Sequence, residues 1–401
     1  MNKLKKLQKN LDNKFLTIKH IGSRGEGVSN LTTEFNHRES DYTFFIPFTL
    51  PNELVVVKPT LLTSEGVRAD LVEIKSPSPK RIDPKCKHFF QCGGCLLQHW
   101  NFKDYSSWKV NKISVPILKI SPTTNIKPIK TSSTRSRRHA KLKAKKNKSN
   151  TIIGFNEYRS KFITKIDKCI IIESELQRFI HDLEKPLHKL LGVGDEIDIH
   201  ANLLDNGVDL LISGIDKTDY HKLNIFVDAL SNSSVIRFHR KLKDNTNELL
   251  FTKDLSSLSN KSFSSITFPP PGGFLQATIE GENAILESVM LGLNENKKTK
   301  LICELFCGSG TITIPLLKKP YQIHAFELDK ESLKSLDIAA RKESFGNRVK
   351  TKVRDLKNFP LTSDELSKYD AIIVDPPRSG AKLQFLNIAR SNVSIIVSIS
   401  C

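Results

Sequence analysis

Alternating apolar and polar residues in short runs fill the first part of the chain, and this spacing predicts β-strands. A glycine-rich turn at 23–27, and then Pro47 and Pro51, separate the runs. The candidate strands are 15–21, 42–46 and 54–58. Short strands joined by tight turns are typical of a small closed barrel, which we expect over residues 1–76.

Helical and strand periods are mixed in residues 77–262, which predicts an α+β middle domain. A hairpin is expected at the turn signal Asp205-Asn206-Gly207, and a surface loop over residues 241–262. Between positions 135 and 148, apolar and basic residues alternate, which predicts a strand with one basic face. That face either meets phosphates or is a solvated charged surface.

Strand and helix patterns alternate over residues 263–401, which predicts a doubly wound, Rossmann-like parallel sheet. Its first β-α-β unit, 301–329, turns through Gly308-Ser309-Gly310. Glycines let a ligand approach the backbone closely, and the helix that follows offers free N–H groups. A dinucleotide site needs a third glycine, but position 313 is threonine, so the pattern favours S-adenosylmethionine (AdoMet).

Several residues follow predicted strands of this sheet, where doubly wound folds bind their ligands. We expect them to converge at one edge. They are Gly308, Glu327, Asp355, Asp375 and Cys401. Glu327 ends the second strand and is placed to accept hydrogen bonds from ribose hydroxyls.

The chain is strongly basic, with 62 Lys and Arg against 43 Asp and Glu and a net charge of +19. This balance favours a nucleic-acid partner, and a solvated Lys-rich surface is the alternative. No apolar run is long enough to span a bilayer, and the N-terminus lacks the apolar core of a signal peptide. We therefore expect a cytoplasmic protein with no membrane partner.

Three cysteines form a cluster with the spacing C-x5-C-x2-C, at Cys86, Cys92 and Cys95. Gly93 and Gly94 let the chain wrap so that the thiolates face one point. In a cytosolic protein, such a cluster indicates a metal site before disulfides, and Cys169 is a candidate fourth ligand. Four thiolates suit either zinc or an iron–sulfur cluster.

The sequence Asp375-Pro376-Pro377 stands where many nucleic-acid methyltransferases hold the target base. Enzymes that methylate exocyclic amines usually place an aromatic residue next, whereas this chain has Arg378. Methylation of a pyrimidine ring carbon instead needs a thiolate that adds to C6 and makes C5 nucleophilic. Cys401, after the last predicted strand, is the candidate, while Cys303 and Cys307 are expected to be small buried residues.

Together these motifs resemble those of the RNA uracil-5 methyltransferases, in particular the iron–sulfur branch that acts on 23S ribosomal RNA. The resemblance covers essentially the whole chain, and the N-terminal strands resemble an RNA-binding TRAM domain. It implies a 4Fe–4S cluster on Cys86, Cys92, Cys95 and Cys169. We further expect a monomer, and residues 97–128 that pack on the methyltransferase domain.

The same resemblance implies the residues of the active site. The expected AdoMet contacts, including the glycines of the turn, are Gln276, Phe306, Gly308, Gly310, Thr311, Glu327 and Asp355. Asp375 is expected beside the target base, and Cys401 is expected to be the catalytic nucleophile.

The sequence also departs from the family pattern. In the family, Asn-Pro and a later glutamate follow the nucleophile, and that glutamate removes the C5 proton, whereas this sequence ends at Cys401. We therefore expect a truncated methyltransferase domain from a longer protein. A catalytically inactive RNA-binding relative and a transfer-RNA uracil-5 methyltransferase are the alternatives.

Overall fold

The fold is described from a computed structural model. The described residues are 5–6, 12–35, 38–215, 218–253, 259–262, 265–295 and 299–400. They form two compact units. The first comprises residues up to 129 together with 155–166, and the second comprises 130–154 and everything from 167 onward. The predicted middle region, 77–262, therefore contributes residues to both units.

The first unit contains a mainly antiparallel sheet and one long helix. Its strands are β1 (Lys5–Lys6), β2 (Lys14–Thr17), β3 (His20–Ile21), β4 (Gly27–Phe35), β5 (Arg38–Ile46), β6 (Leu54–Thr63) and β7 (Gly66–Ser76). The helix is α1 (Phe102–Ile120), which begins at the N-cap Asn101. Residues 97–128 belong to this unit, and their packing on the methyltransferase domain stays a prediction.

The seven strands close on themselves, as the alternating pattern predicted. Strand order β6-β7-β5-β4-β3 forms one continuous path, and β2 pairs with β6. Because β2 and β3 are successive parts of one segment, pairing of β2 with β6 and of β3 with β4 joins the two edges. Alternate residues such as Phe44, Ile46 and Val57 point inward and form the buried core.

The second unit begins with a mixed sheet of order β9-β8-β11-β12-β13-β14. Its strands are β8 (His139–Lys146), β9 (Thr151–Asn156), which ends in the first unit, β11 (Glu196–Leu204), β12 (Gly207–Ser213), β13 (Val235–Lys241) and β14 (Asn247–Thr252); the short β10 (Ile163–Lys165) lies in the first unit. Its helices are α2 (Ser174–Asp182), α3 (Glu184–Leu190) and α4 (Tyr220–Ser231). The hairpin predicted at 205–207 is confirmed, because β11 and β12 pair around it.

Strand β8 confirms the alternation predicted between 135 and 148, because Ala140, Leu142 and Ala144 are buried. Carboxylates contact part of its basic face, which leaves that face less available to bind phosphates. Lys143 contacts Glu196 at 3.2 Å, and Lys145 contacts the same carboxylate at 3.4 Å. The loop expected over 241–262 is wrong in part, because β14 pairs with β13 and so satisfies its backbone hydrogen bonds in a sheet.

The remainder of the second unit is the predicted doubly wound fold. Its elements are β15 (Asn260–Ser262), β16 (Ser265–Thr267), α5 (Ile279–Leu293), β17 (Leu301–Leu305), α6 (Thr313–Leu316), β18 (Gln322–Glu327), α7 (Lys330–Lys342), β19 (Val349–Val353), α8 (Ser363–Leu366), β20 (Ala371–Val374), α9 (Lys382–Ala389) and β21 (Ile395–Ser398). Five strands form a parallel sheet of order β19-β18-β17-β20-β21. From β17 the strand order first runs to one side of the sheet, through β18 and β19, and then to the other side, through β20 and β21. This change of direction places a crevice beyond the end of β17.

Both faces of this sheet are covered. Along β20, Ala371 and Ile373 pack into one core cluster, while Ile372 and Val374 pack into the other. A strand that is buried on both faces has a nearly continuous apolar sequence, which is why these strands could be predicted. None of the helices over the described residues has both the length and the hydropathy that a bilayer-spanning segment requires.

Candidate active site

The turn after β17 has a tightly specified backbone. Phe306, Gly308 and Gly310 all have positive φ, at 64°, 54° and 89°. The carboxylate of Glu327 braces the turn, since its Oε2 atom accepts a hydrogen bond from the Gly308 N–H at 3.1 Å. Its Oε1 atom accepts from the N–H groups of Leu328 and Asp329. The residue predicted to bind ribose thus also holds the glycine turn.

A cleft opens beside this turn and contains about 590 Å³ of empty space, part of it open to solvent. Its lining includes four residues predicted from the sequence to bind AdoMet and the residue predicted beside the target base. These are Gln276, Phe306, Gly308, Thr311 and Asp375. The cleft therefore brings together residues from the segment before α5, from the turn and from the end of β20.

Three further residues predicted to bind AdoMet lie outside this lining. One is Glu327, which braces the turn, and the others are Gly310 and Asp355. Gly310 packs inward, because a Cβ atom there would stand 2.4 Å from Leu336 Cδ1. Asp355 caps its own turn, where it accepts hydrogen bonds from the backbone N–H groups of Lys357 and Asn358 at 3.1 Å. Cys401, the predicted nucleophile, lies outside the described residues.

The lining contains two carboxyl groups that sequence reasoning missed, Glu282 and Glu304. Glu304 is fully buried near the end of β17, and its Oε2 atom accepts a hydrogen bond from the Thr313 hydroxyl at 2.7 Å. Burial raises the pKa of Glu304 to about 8 and also raises the pKa of Asp375. An acidic residue inside the apolar run 301–306 was the available signal.

The second missed residue, Glu282, lies on the buried stripe of α5 together with Leu286, Val289 and Leu293. It forms a buried ion pair with Arg138, whose guanidinium also donates to the carbonyl oxygen of Gln276 at 3.1 Å. The signal here was a charged residue at the helical spacing of an apolar face.

Cys303 and Cys307 are buried, as expected from the sequence. Burial raises the pKa of both thiols well above the usual range for cysteine. Because the thiolate is the reactive form, neither residue is suited to nucleophilic attack at neutral pH.

The residues predicted to bind a metal are Cys86, Cys92, Cys95 and Cys169. Over the described residues, no set of three or more His, Cys, Asp and Glu side chains could hold a metal ion. All four predicted cysteines are partly exposed. The backbone N–H of Cys169 donates to Gln177 Oε1 at 2.8 Å, which ties this segment to α2. The metal site on these four cysteines therefore stays a prediction.

The two glycines of the turn offer a matched test of its packing. We expect Gly310→Ala to lower the free energy of unfolding by about 1–3 kcal/mol more than Gly308→Ala, because only the former overlaps the buried Leu336. Both substitutions place alanine at positive φ and so share that cost. Urea unfolding of the two variants measures the difference. Equal destabilisation would contradict the packing role assigned to Gly310.

Comparison with known proteins agrees with this geometry. A tRNA (uracil-54, C5)-methyltransferase of Pyrococcus abyssi, solved with S-adenosyl-L-homocysteine, superposes with a TM-score of 0.68 over 96% of this chain and 89% of that one, at 17% identity. At this identity the likeness concerns the fold alone. The parallel sheet and its glycine turn therefore define the class: the chain has the fold of the AdoMet-dependent methyltransferases.

Sequence relatives define the family more closely. No family model matches the chain. An RNA methyltransferase of Brucella melitensis is 32% identical over 96% of this chain and 87% of its own length. A 23S rRNA (uracil(1939)-C(5))-methyltransferase of Shewanella sediminis is 28% identical over 89% of this chain and 81% of its own length. The chain belongs to the RNA methyltransferases.

Proposed function

We propose that the protein transfers a methyl group from AdoMet to RNA. The observation that carries this proposal is the cleft beside the glycine turn, where Gln276, Phe306 and Thr311 share one lining with Asp375. The residues of the cleft fit AdoMet because the turn leaves open space at Gly308 and because the Glu282 carboxylate in the lining complements a cationic ligand. Glu327 beside the turn is proposed to bind the ribose.

We propose C5 of a uridine as the methylated atom, with Cys401 as nucleophile. The Cys401 thiolate adds to C6, and the electron pair of the C5–C6 double bond moves to make C5 nucleophilic. When bound, AdoMet would supply the electrophilic methyl group that C5 takes up and would leave as S-adenosylhomocysteine. The family resemblance assigns removal of the C5 proton to a glutamate that follows the nucleophile, and expulsion of the thiolate then restores the double bond. Asp375, whose pKa is raised by burial, is proposed to orient the base by hydrogen bonding.

Ribosomal RNA is the proposed substrate, and the Shewanella relative supports it by its named substrate, 23S rRNA. Transfer RNA, the substrate named for the Pyrococcus enzyme, is the alternative. Mapping 5-methyluridine in both RNA classes, before and after deletion of the full-length gene, distinguishes them. We expect one ribosomal position to lose its methyl group. Loss confined to transfer RNA would reassign the substrate, and no loss at all would favour a catalytically inactive relative.

A TRAM-like role is proposed for the closed barrel of the first unit, since the chain is strongly basic and belongs to a family that acts on RNA. We expect RNA binding to fall steeply between low and physiological salt, as phosphate contacts require.

A 4Fe–4S cluster on Cys86, Cys92, Cys95 and Cys169 stays a prediction from the family resemblance. One contact supports it: the Gly94 N–H donates to Cys92 Sγ at 3.4 Å, and such bonds accompany thiolate ligands. We expect protein purified without oxygen to be brown, with about four irons and four sulfides per chain. Serine at any of the four positions should remove the colour, whereas Cys303→Ser, at a buried site, should keep it. Colourless protein with stoichiometric zinc would contradict the cluster.

A further inference from the structure

One carboxylate oxygen in the cleft lacks a hydrogen-bond partner. Glu282 lines the cleft and is 1% exposed. Its Oε2 atom pairs with Arg138, whereas its Oε1 atom is buried and makes no hydrogen bond among the described residues. A buried acceptor left unpaired destabilises the folded protein, and more so when the group is charged. Such an atom in the wall of a ligand cleft indicates that a donor arrives with the ligand.

Arg138 fixes the position of this carboxylate. Its guanidinium donates to Gln276 O at 3.1 Å and to Asn260 Oδ1 at 2.7 Å, and its backbone N–H donates to Ala277 O at 3.0 Å. One buried side chain therefore ties Glu282 to the segment that carries Gln276 into the cleft. A planar guanidinium with several fixed donors is suited to holding a carboxylate in one orientation.

The charge of the cleft selects the kind of donor. Glu282 and Asp375 line it, and the described residues of the lining include no lysine or arginine. Of the donor groups on AdoMet, the α-ammonium is the charged one and carries three N–H bonds. A hydrogen bond between an ammonium and a carboxylate is stronger than one between neutral groups.

We propose that Glu282, held by Arg138, accepts a hydrogen bond from the α-ammonium group of the methyl donor through its Oε1 atom. This inference rests on the AdoMet-dependent function proposed above. It assigns Glu282 to binding and Arg138 to positioning. The acidic lining thereby recognises the amino-acid end of the donor, while Glu327 lies beside the turn at the proposed ribose position.

Binding of two matched ligands tests the inference. S-adenosylhomocysteine and its deamino analogue differ only in the α-amino group, and calorimetry gives the Kd of each. We expect the wild-type protein to bind the deamino analogue at least about tenfold more weakly. Glu282→Gln should weaken S-adenosylhomocysteine by a similar factor and leave the analogue within about twofold, because the amide presents N–H groups to the ammonium. Glu287→Gln, at an exposed position of the same helix, should change neither.

The outcomes separate this inference from the proposed function. If the wild-type protein binds neither ligand, the AdoMet-dependent function fails. If it binds both ligands equally, the ammonium contact is absent, whatever the variants do. A Glu282→Gln variant that weakens both ligands by one factor would assign Glu282 a structural role only, and unchanged binding would leave the Oε1 atom without a ligand.

Discussion

Replacement of Cys401 by alanine is expected to reduce methyl transfer to RNA by at least roughly 10³-fold, because removal of a covalent nucleophile costs that much or more in enzymes where it has been measured. The reason lies in the weak nucleophilicity of C5, which becomes reactive only after a thiolate has added to C6. Methyl transfer from labelled AdoMet to ribosomal RNA measures the effect. S-adenosylhomocysteine should still bind, because the cleft residues remain intact.

A covalent adduct tests the same step more directly. RNA that carries 5-fluorouridine has no C5 proton to lose, so the protein–RNA adduct should accumulate and survive denaturing electrophoresis. Cys401→Ala should abolish it. The matched control is Cys303→Ala, since that thiol is buried and its pKa is raised by burial. An adduct that persists in Cys401→Ala would show that another residue attacks C6.

Glu304 is expected to make the stability of the protein depend on pH. The pKa of Glu304 in the folded protein is raised by burial to about 8, whereas the pKa of an exposed glutamate is about 4.3. Between these values the folded protein keeps a proton that the unfolded chain has released, so stability is fully retained below pH ~4 and falls as pH rises. The slope is about 1.4 kcal/mol per pH unit, and the total loss by pH 8 is on the order of 5 kcal/mol.

Glutamine at position 304 imitates the protonated side chain and can still accept the Thr313 hydrogen bond. We therefore expect Glu304→Gln to match the wild type below pH ~4 and to unfold at progressively higher urea concentration than the wild type as pH rises to 8. The exposed Glu331 supplies the control, since Glu331→Gln should show no such divergence. Parallel pH profiles for wild type and Glu304→Gln would disprove a protonated Glu304.

Elements with a periodic apolar face or a continuous apolar run were predictable from the sequence, while short elements were not. The parallel strands, the hairpin at 205–207 and helix α5 follow from apolar spacing. The short helix α8 and helix α9 were missed, because α8 has four residues and because α9 leaves Leu383 and Leu386 exposed. Helix α6 is shorter than its apolar run suggested, and the chain turns before Pro320.

The doubly wound sheet, the glycine turn and the candidate methyl-donor site could be predicted from the sequence, because they depend on residue types at fixed spacing along one segment. The folded structure was needed to find that Arg138 holds Glu282 beside Gln276, and that Glu304 is buried in the wall of the same cleft. These residues are far apart in the chain or look unremarkable within it. Their roles come from partners that folding brings within hydrogen-bonding distance, and from the water that folding excludes around them.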